Sequence, residues 1–146
     1  MRDPNRLPDA AFTIEQPLPC TPEEAYDAWM DPETMAQWFC PDPGWRASIP
    51  DWNARVGGSF NVLMTDGKAS VPHTGEFLVL ERPRLLVMTW ISEFTGNEAS
   101  RVTLEFQRDG EGTLLRLTHE GLPPGETTQQ HKEGWAEILR KLAGTF

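Results

Sequence analysis

Few residues of this 146-residue chain could do covalent chemistry, and their spacing narrows the choice. The three histidines, His73, His119 and His131, form no HExxH or comparable ligand set, so no metal site is expected. Two cysteines, Cys20 and Cys40, are too few for a disulfide framework or a CxxC zinc site. They read as free thiols, and nothing beside Cys40 would lower its pKa and make it reactive. A GxSxG elbow, a GxxxxGK[ST] phosphate loop and a GxGxxG turn are all missing, so no cofactor is expected and no catalytic residue is assigned. Paired-carboxylate chemistry needs two acids at fixed separation in a cleft, and the sequence offers only Glu76. What remains is recognition chemistry. His119 and His131 serve either as hydrogen-bonded structural groups or as the polar handles of a mainly apolar pocket.

These residues sit on elements that the pattern of the chain defines. Residues 1–10 are polar, with two prolines, and read as a loose arm; residues 11–146 read as one domain. Phe12–Gln16 alternates as a strand, ended by Pro17 and Pro19. Thr21-Pro22-Glu23-Glu24 is a capping box with proline at the first helical position, and Ala25, Ala28 and Trp29 form the buried face behind it. Asp31-Pro32-Glu33 opens a second short helix with Met35, Trp38 and Phe39 at i, i+3, i+4. Six alternating runs follow, Ala47–Asn53, Ser59–Thr65, Val71–Leu80, Leu85–Ile91, Ser100–Gln107 and Thr113–Glu120, separated by turn signals too short for crossover helices. They make an antiparallel meander. After Leu122-Pro123-Pro124-Gly125, His131, Trp135, Ile138, Leu139 and Leu142 recur on one face of a long helix. Gly134 within it costs about 1 kcal/mol against Ala, which points to a bulky neighbour passing close.

Alternation sorts most strands. Phe60, Val62, Met64, Leu86, Met88, Trp90, Val102, Leu104, Phe106, Leu115, Leu117 and His119 face inward. Val71–Leu80 resists sorting, because Phe77 and Val79 on one face compete with Leu78 and Leu80 on the other. If the second pair points in, Glu76 points in with it.

Composition bounds the function. The chain has 38% apolar and 24% charged residues, near the globular average, so disorder and fibre are excluded. Thirteen Lys and Arg against 22 Asp and Glu give a net charge of −9 with no basic cluster, so neither nucleic acid nor an anionic membrane is expected as a partner. With no signal-peptide core and no 18-residue apolar run, the expectation is a soluble cytoplasmic protein. Six Trp, seven Phe and five Met supply large apolar area, either as an interlocked core or as pocket lining.

The order and spacing of several segments together resemble the START-like, birch-pollen-allergen-like (helix-grip, SRPBCC) superfamily, in the bacterial branch of heat-shock-protein-90 ATPase activator homologues. The segments are Thr21–Trp29, Asp31–Phe39, Gly57-Gly58-Ser59-Phe60, Gly75-Glu76-Phe77, Pro83–Trp90, Leu117–Pro123 and His131–Trp135. The resemblance spans roughly residues 11–145. It implies an α+β, β-α-α-β6-α chain whose curved seven-stranded antiparallel sheet grips the C-terminal helix, with a cavity usually lying between them. On that footing the expected function is non-enzymatic binding of a small hydrophobic or aromatic molecule. The expected lining is Trp38, Phe39, Trp52, Met64, Glu76, Met88, Trp90, Phe106, His119, His131 and Trp135, with Trp45 also a candidate.

Two alternatives also follow from the resemblance. Some relatives are cavity enzymes, in which His119, His131 and Glu76 would act as acid or base. Others engage a chaperone through a further N-terminal domain, and the roughly ten residues before the first strand here argue against that role. Exposed edge strands leave room for a homodimer.

Overall fold

The computed structural model describes residues 10–146, so the arm expected over 1–10 lies outside the described residues except for Ala10, where the first strand begins. The element order is β1 (Ala10–Leu18), α1 (Pro22–Asp27), α2 (Pro32–Met35), β2 (Arg46–Trp52), β3 (Ser59–Thr65), β4 (Ser70–Glu81), β5 (Leu85–Trp90), a 3₁₀ turn (Glu93–Thr95), β6 (Ser100–Asp109), β7 (Gly112–Leu122) and α3 (Glu126–Ala143). All seven strands form one antiparallel sheet in the order β1-β7-β6-β5-β4-β3-β2. This is the β-α-α-β6-α helix-grip arrangement, with α3 against the apolar face of the sheet. Among the described residues no helix is long and apolar enough to cross a membrane.

Local chemistry explains the helix starts. The Thr21 hydroxyl accepts from the Glu24 amide at 3.2 Å, while the Glu24 carboxylate accepts from the Thr21 amide at 3.1 Å, closing the capping box. Asp31 caps α2 by accepting from the Glu33 amide at 3.1 Å. That helix is a single turn, shorter than the apolar spacing suggested. Trp38 and Phe39 nevertheless keep their i+3 and i+4 places, because both amides bond to the Met35 carbonyl, at 3.1 and 2.9 Å.

Two strands depart from the sequence reading for identifiable reasons. β1 runs through Pro17 because it is an edge strand bonded only to β7, and its missing donor interrupts no second ladder. β4 carries a bulge: Phe77 pairs with Met88 and Val79 with Val87, so the phase of alternation shifts at Leu78. Phe77 and Leu80, three residues apart, therefore both pack inward, while Leu78 is exposed. Neither face of the competing pattern was the inward one throughout, because the strand changes phase between them.

Every inward residue assigned by alternation on β3, β5, β6 and β7 is buried. The aromatic side chains contributed by α1, the α2 turn and the sheet interlock. Trp29 meets Trp38 edge-on at 4.9 Å between centroids, and Phe39 sits within 6.3 Å of Trp52, Trp90 and Trp135. Trp52 lies 5.0 Å from Phe60 and 5.1 Å from Phe77, and its indole donates to the Trp29 carbonyl at 2.8 Å. Such offset and edge-to-face pairs fill the space between the short helices and the sheet.

Candidate functional site

An open cleft lies to one side of that core. A cleft of about 490 Å³ is bounded by the α2–β2 loop (Pro41, Asp42, Trp45), Met64 of β3, Val71 and His73 of β4, Trp90 at the end of β5, Phe94 of the 3₁₀ turn, and the Gln130–Ile138 stretch of α3. Its volume is within the range of small-molecule sites, and Phe94, 48% exposed, stands where it meets solvent. The α2–β2 loop is held to α3 by the Lys141 ammonium, which donates to the Cys40 carbonyl at 2.7 Å. The nearest side chain to Gly134 is the Pro41 ring, and it does not pass close enough to require a glycine, contrary to the expectation from sequence. A Cβ at Gly134 would lie 3.6 Å from Pro41 Cγ, which is ordinary contact rather than a clash.

The three histidines have different roles, and their hydrogen bonds assign the tautomers. His119 is fully buried, and the Trp135 indole N–H donates to its Nδ1 at 3.0 Å. Nδ1 is therefore an acceptor, the proton sits on Nε2, and Nε2 donates to the Ser100 hydroxyl at 2.7 Å. Ser100 in turn donates to the Trp90 carbonyl at 2.6 Å. The chain of donors Trp135, His119, Ser100 ties α3 to β7, β6 and β5. Burial pushes the His119 pKa down to about 3 and keeps the ring neutral.

His131 sits on the cleft wall, 5.3 Å from His119 in a perpendicular ring contact. Its Nδ1 lies 2.8 Å from the Thr127 carbonyl, so in the neutral ring Nδ1 carries the proton and Nε2 is left as an acceptor. Burial lowers its pKa, with the Thr127 carbonyl acting in the opposite direction. His73, which the sequence reading did not select, also forms part of the wall. It is 6% exposed, stacks on Trp90 at 5.2 Å, and its enclosed Nδ1 has no hydrogen-bond partner. Burial pushes its pKa down to about 4, with the backbone of Val62 and Val71 acting in the opposite direction.

Of the residues picked out by sequence, the structure brings Met64, Trp90, His131 and Trp135 together on the cleft, with Trp45 beside them. Trp38, Phe39, Met88, Phe106 and His119 do not line it and are buried in the core, and Trp52 does not line it and packs half-buried against the core. Glu76 is exposed on the other face of β4, one residue before inward-facing Phe77. His73 and Val71 could have been found from sequence once Phe77 was set inward, since period two then carries Gly75, His73 and Val71 to the same side. Glu133 and Glu137 share a helical flank with Gln130, Gly134 and Ile138, but that this flank meets Asp42 across a cleft depends on how the α2–β2 loop docks against α3, which periodicity does not encode.

Both cysteines are buried free thiols. Burial pushes Cys20 up to about 11 and raises Cys40 as well, so neither is poised as a nucleophile. Among the described residues no group of three His, Cys, Asp or Glu side chains is placed to hold a metal ion.

Comparison with known proteins matches residues 19–146 to the family described as Activator of Hsp90 ATPase homolog 1-like protein. The uncharacterized protein C1711.08 of Schizosaccharomyces pombe is 29% identical over 116 residues, 79% of this chain and 30% of that protein. The chain thus spans less than a third of that relative's length. Among solved structures, protein CV1439 from Chromobacterium violaceum superposes with a TM-score of 0.85 at 23% identity, covering 93% of this chain and 96% of that one. The AHSA1 (SPO3351) protein from Silicibacter pomeroyi gives 0.79 at 24% identity, covering 93% and 96%. PFC0360w from Plasmodium falciparum, described as an HSP90 activator, gives 0.72 at 25% identity, covering 91% and 93%.

Proposed function

The chain belongs to the Activator of Hsp90 ATPase homolog 1-like family, and from that premise we propose that it is a binding domain that holds a small apolar or aromatic molecule in the cleft between the α2–β2 loop, the β3–β5 edge and α3. The observation that carries this reading is the wall of the cleft. Its lining is mostly apolar: half-buried Trp45 and Val71 and exposed Phe94 border it, and Met64, Trp90, Trp135 and Ile138 reach it from the buried core. Burial of ligand area at about 25 cal/mol per Å² supplies the affinity, and the few polar groups on the wall fix orientation.

An acid–base enzyme finds less support in the same geometry. His119 has both ring nitrogens engaged and Glu76 lies on the opposite face of the sheet, so His131 stands without either intended partner.

Tryptophan fluorescence of the whole chain, titrated with a panel of two- and three-ring aromatic compounds, tests the binding reading. A saturable change is expected with at least one of them, lost in Val71→Trp, which fills the cleft. A panel that leaves fluorescence and melting temperature unchanged overturns it.

A second reading, a chaperone-interacting protein, is favoured by the family match and by the likeness to PFC0360w. Stimulation of the ATPase of an Hsp90-type chaperone by the purified chain would support it, and no stimulation would remove it.

A further inference from the structure

We infer that the ligand of this cleft is an uncharged hydroxylated aromatic molecule whose hydroxyl donates to Nε2 of His131, which makes His131 the specificity-determining residue of the site. The inference rests on the binding reading above and adds to it the polar group of the ligand. Two contacts fix the His131 ring on the wall. The Thr127 carbonyl, one turn back on α3, accepts from Nδ1 at 2.8 Å, and the His119 ring meets the His131 ring at 89° with centroids 5.3 Å apart. His119 is itself held by Trp135 and Ser100, at 3.0 and 2.7 Å, so the His131 ring rests against a fixed neighbour. Its Nε2 is left as a lone-pair acceptor. That nitrogen has no partner among the described residues, yet it is not one of their enclosed unpaired side-chain atoms, which belong to Trp29, Asn61 and His73. It is therefore open, and the ring that carries it lines the cleft.

The other polar side chains of the lining do not compete for this role. Asp42, Gln130 and Glu133 are exposed at the mouth, Glu137 accepts from Arg140 at 3.0 Å, and His73 Nδ1 is enclosed against the backbone of Val62 and Val71. Half-buried His131 is the group that presents a fixed, unengaged acceptor among apolar side chains. A ligand without a donor would strip water from Nε2 and give nothing back. A carboxylate or phenolate would set lone pairs against a lone pair. A charged donor would give up its hydration among the apolar side chains, whereas a hydroxyl delivers a proton at far smaller desolvation cost. Burial lowers the His131 pKa, which favours the neutral ring that such a bond needs.

Two probes that differ only in the donor test this: 2-naphthol and its methyl ether, 2-methoxynaphthalene, which keeps the oxygen but has no proton to give. With the full chain injected calorimetrically into each at pH 7, 2-naphthol is expected to bind about fivefold more tightly, the worth of one hydrogen bond to a neutral acceptor. In His131→Phe, which keeps an aromatic ring without the acceptor, 2-naphthol is expected to lose that margin while the ether binds as before. Nitrogen-15 NMR of the imidazoles in the unaltered chain reads the bond directly. Nε2 of His131 should be unprotonated in the free protein, and its resonance should move with 2-naphthol and not with the ether. If the ether binds as tightly as 2-naphthol, if His131→Phe keeps the margin, or if Nε2 carries the proton, this inference falls and the binding reading stands. If neither compound binds, this inference falls, and the wider aromatic panel decides the binding reading by itself.

Discussion

At the scale of single residues, the side chain that looked most like chemistry turns out to be structural. His119 is enclosed, neutral and bonded at both nitrogens, and it works as a junction between helix and sheet. Its titration carries a prediction. Unfolded, a histidine titrates near 6.5; folded, His119 is held near 3 and His73 near 4, so between those values the unfolded chain binds more protons. Stability therefore rises with pH in this window and is lost as pH falls below 6.5, by about 2 kcal/mol per histidine at pH 5. Thermal unfolding between pH 7 and 5 should show that decline. His119→Gln is expected to lower the melting temperature at pH 7 and to flatten the decline; an unaltered slope would contradict the assignment. Alternation placed His119 inward from sequence, but its partners Ser100 and Trp135 come from elements 19 and 16 residues away, and no local pattern pairs them.

At the scale of elements, capping boxes, turn residues and period-two runs were enough to read the order of strands and helices. They failed where a strand changed phase. The bulge at Leu78 lets Phe77 and Leu80 both reach the core, so two incompatible alternations coexist in one strand, and with the phase undecided the side of Glu76 was undecided too. Two glycines make the packing testable. A Cβ at Gly75 would fall 2.1 Å from the Thr89 carbonyl and 2.5 Å from the Phe60 ring, so Gly75→Ala should destabilise by about 1–3 kcal/mol or more as β4 is forced off β5. Gly134→Ala meets Pro41 at 3.6 Å and should instead stabilise α3, by up to about 1 kcal/mol. Chemical denaturation of the two variants reads both signs, and a loss at Gly134 as large as that at Gly75 would show that Pro41 packs more tightly than described.

At the scale of the whole molecule, sequence composition gave the supply of aromatic side chains but not their allocation between core and cleft. Trp38, Phe39 and Trp52 close the space beneath α1 and the α2 turn, whereas Trp45, Trp90 and Trp135 border an opening. That division depends on ring orientations and on where the α2–β2 loop docks against α3, which strand periodicity does not encode. On the binding reading proposed above, a ligand enters this peripheral cleft rather than the middle of the sheet–helix interface. The most direct measurement is a two-dimensional amide NMR titration of the full chain with each compound of the two- and three-ring aromatic panel. Saturable shifts concentrated in residues 41–45, 71–73, 90–94 and 130–138 are expected with at least one compound. Saturable shifts centred elsewhere, or none at all at millimolar probe, would contradict that reading.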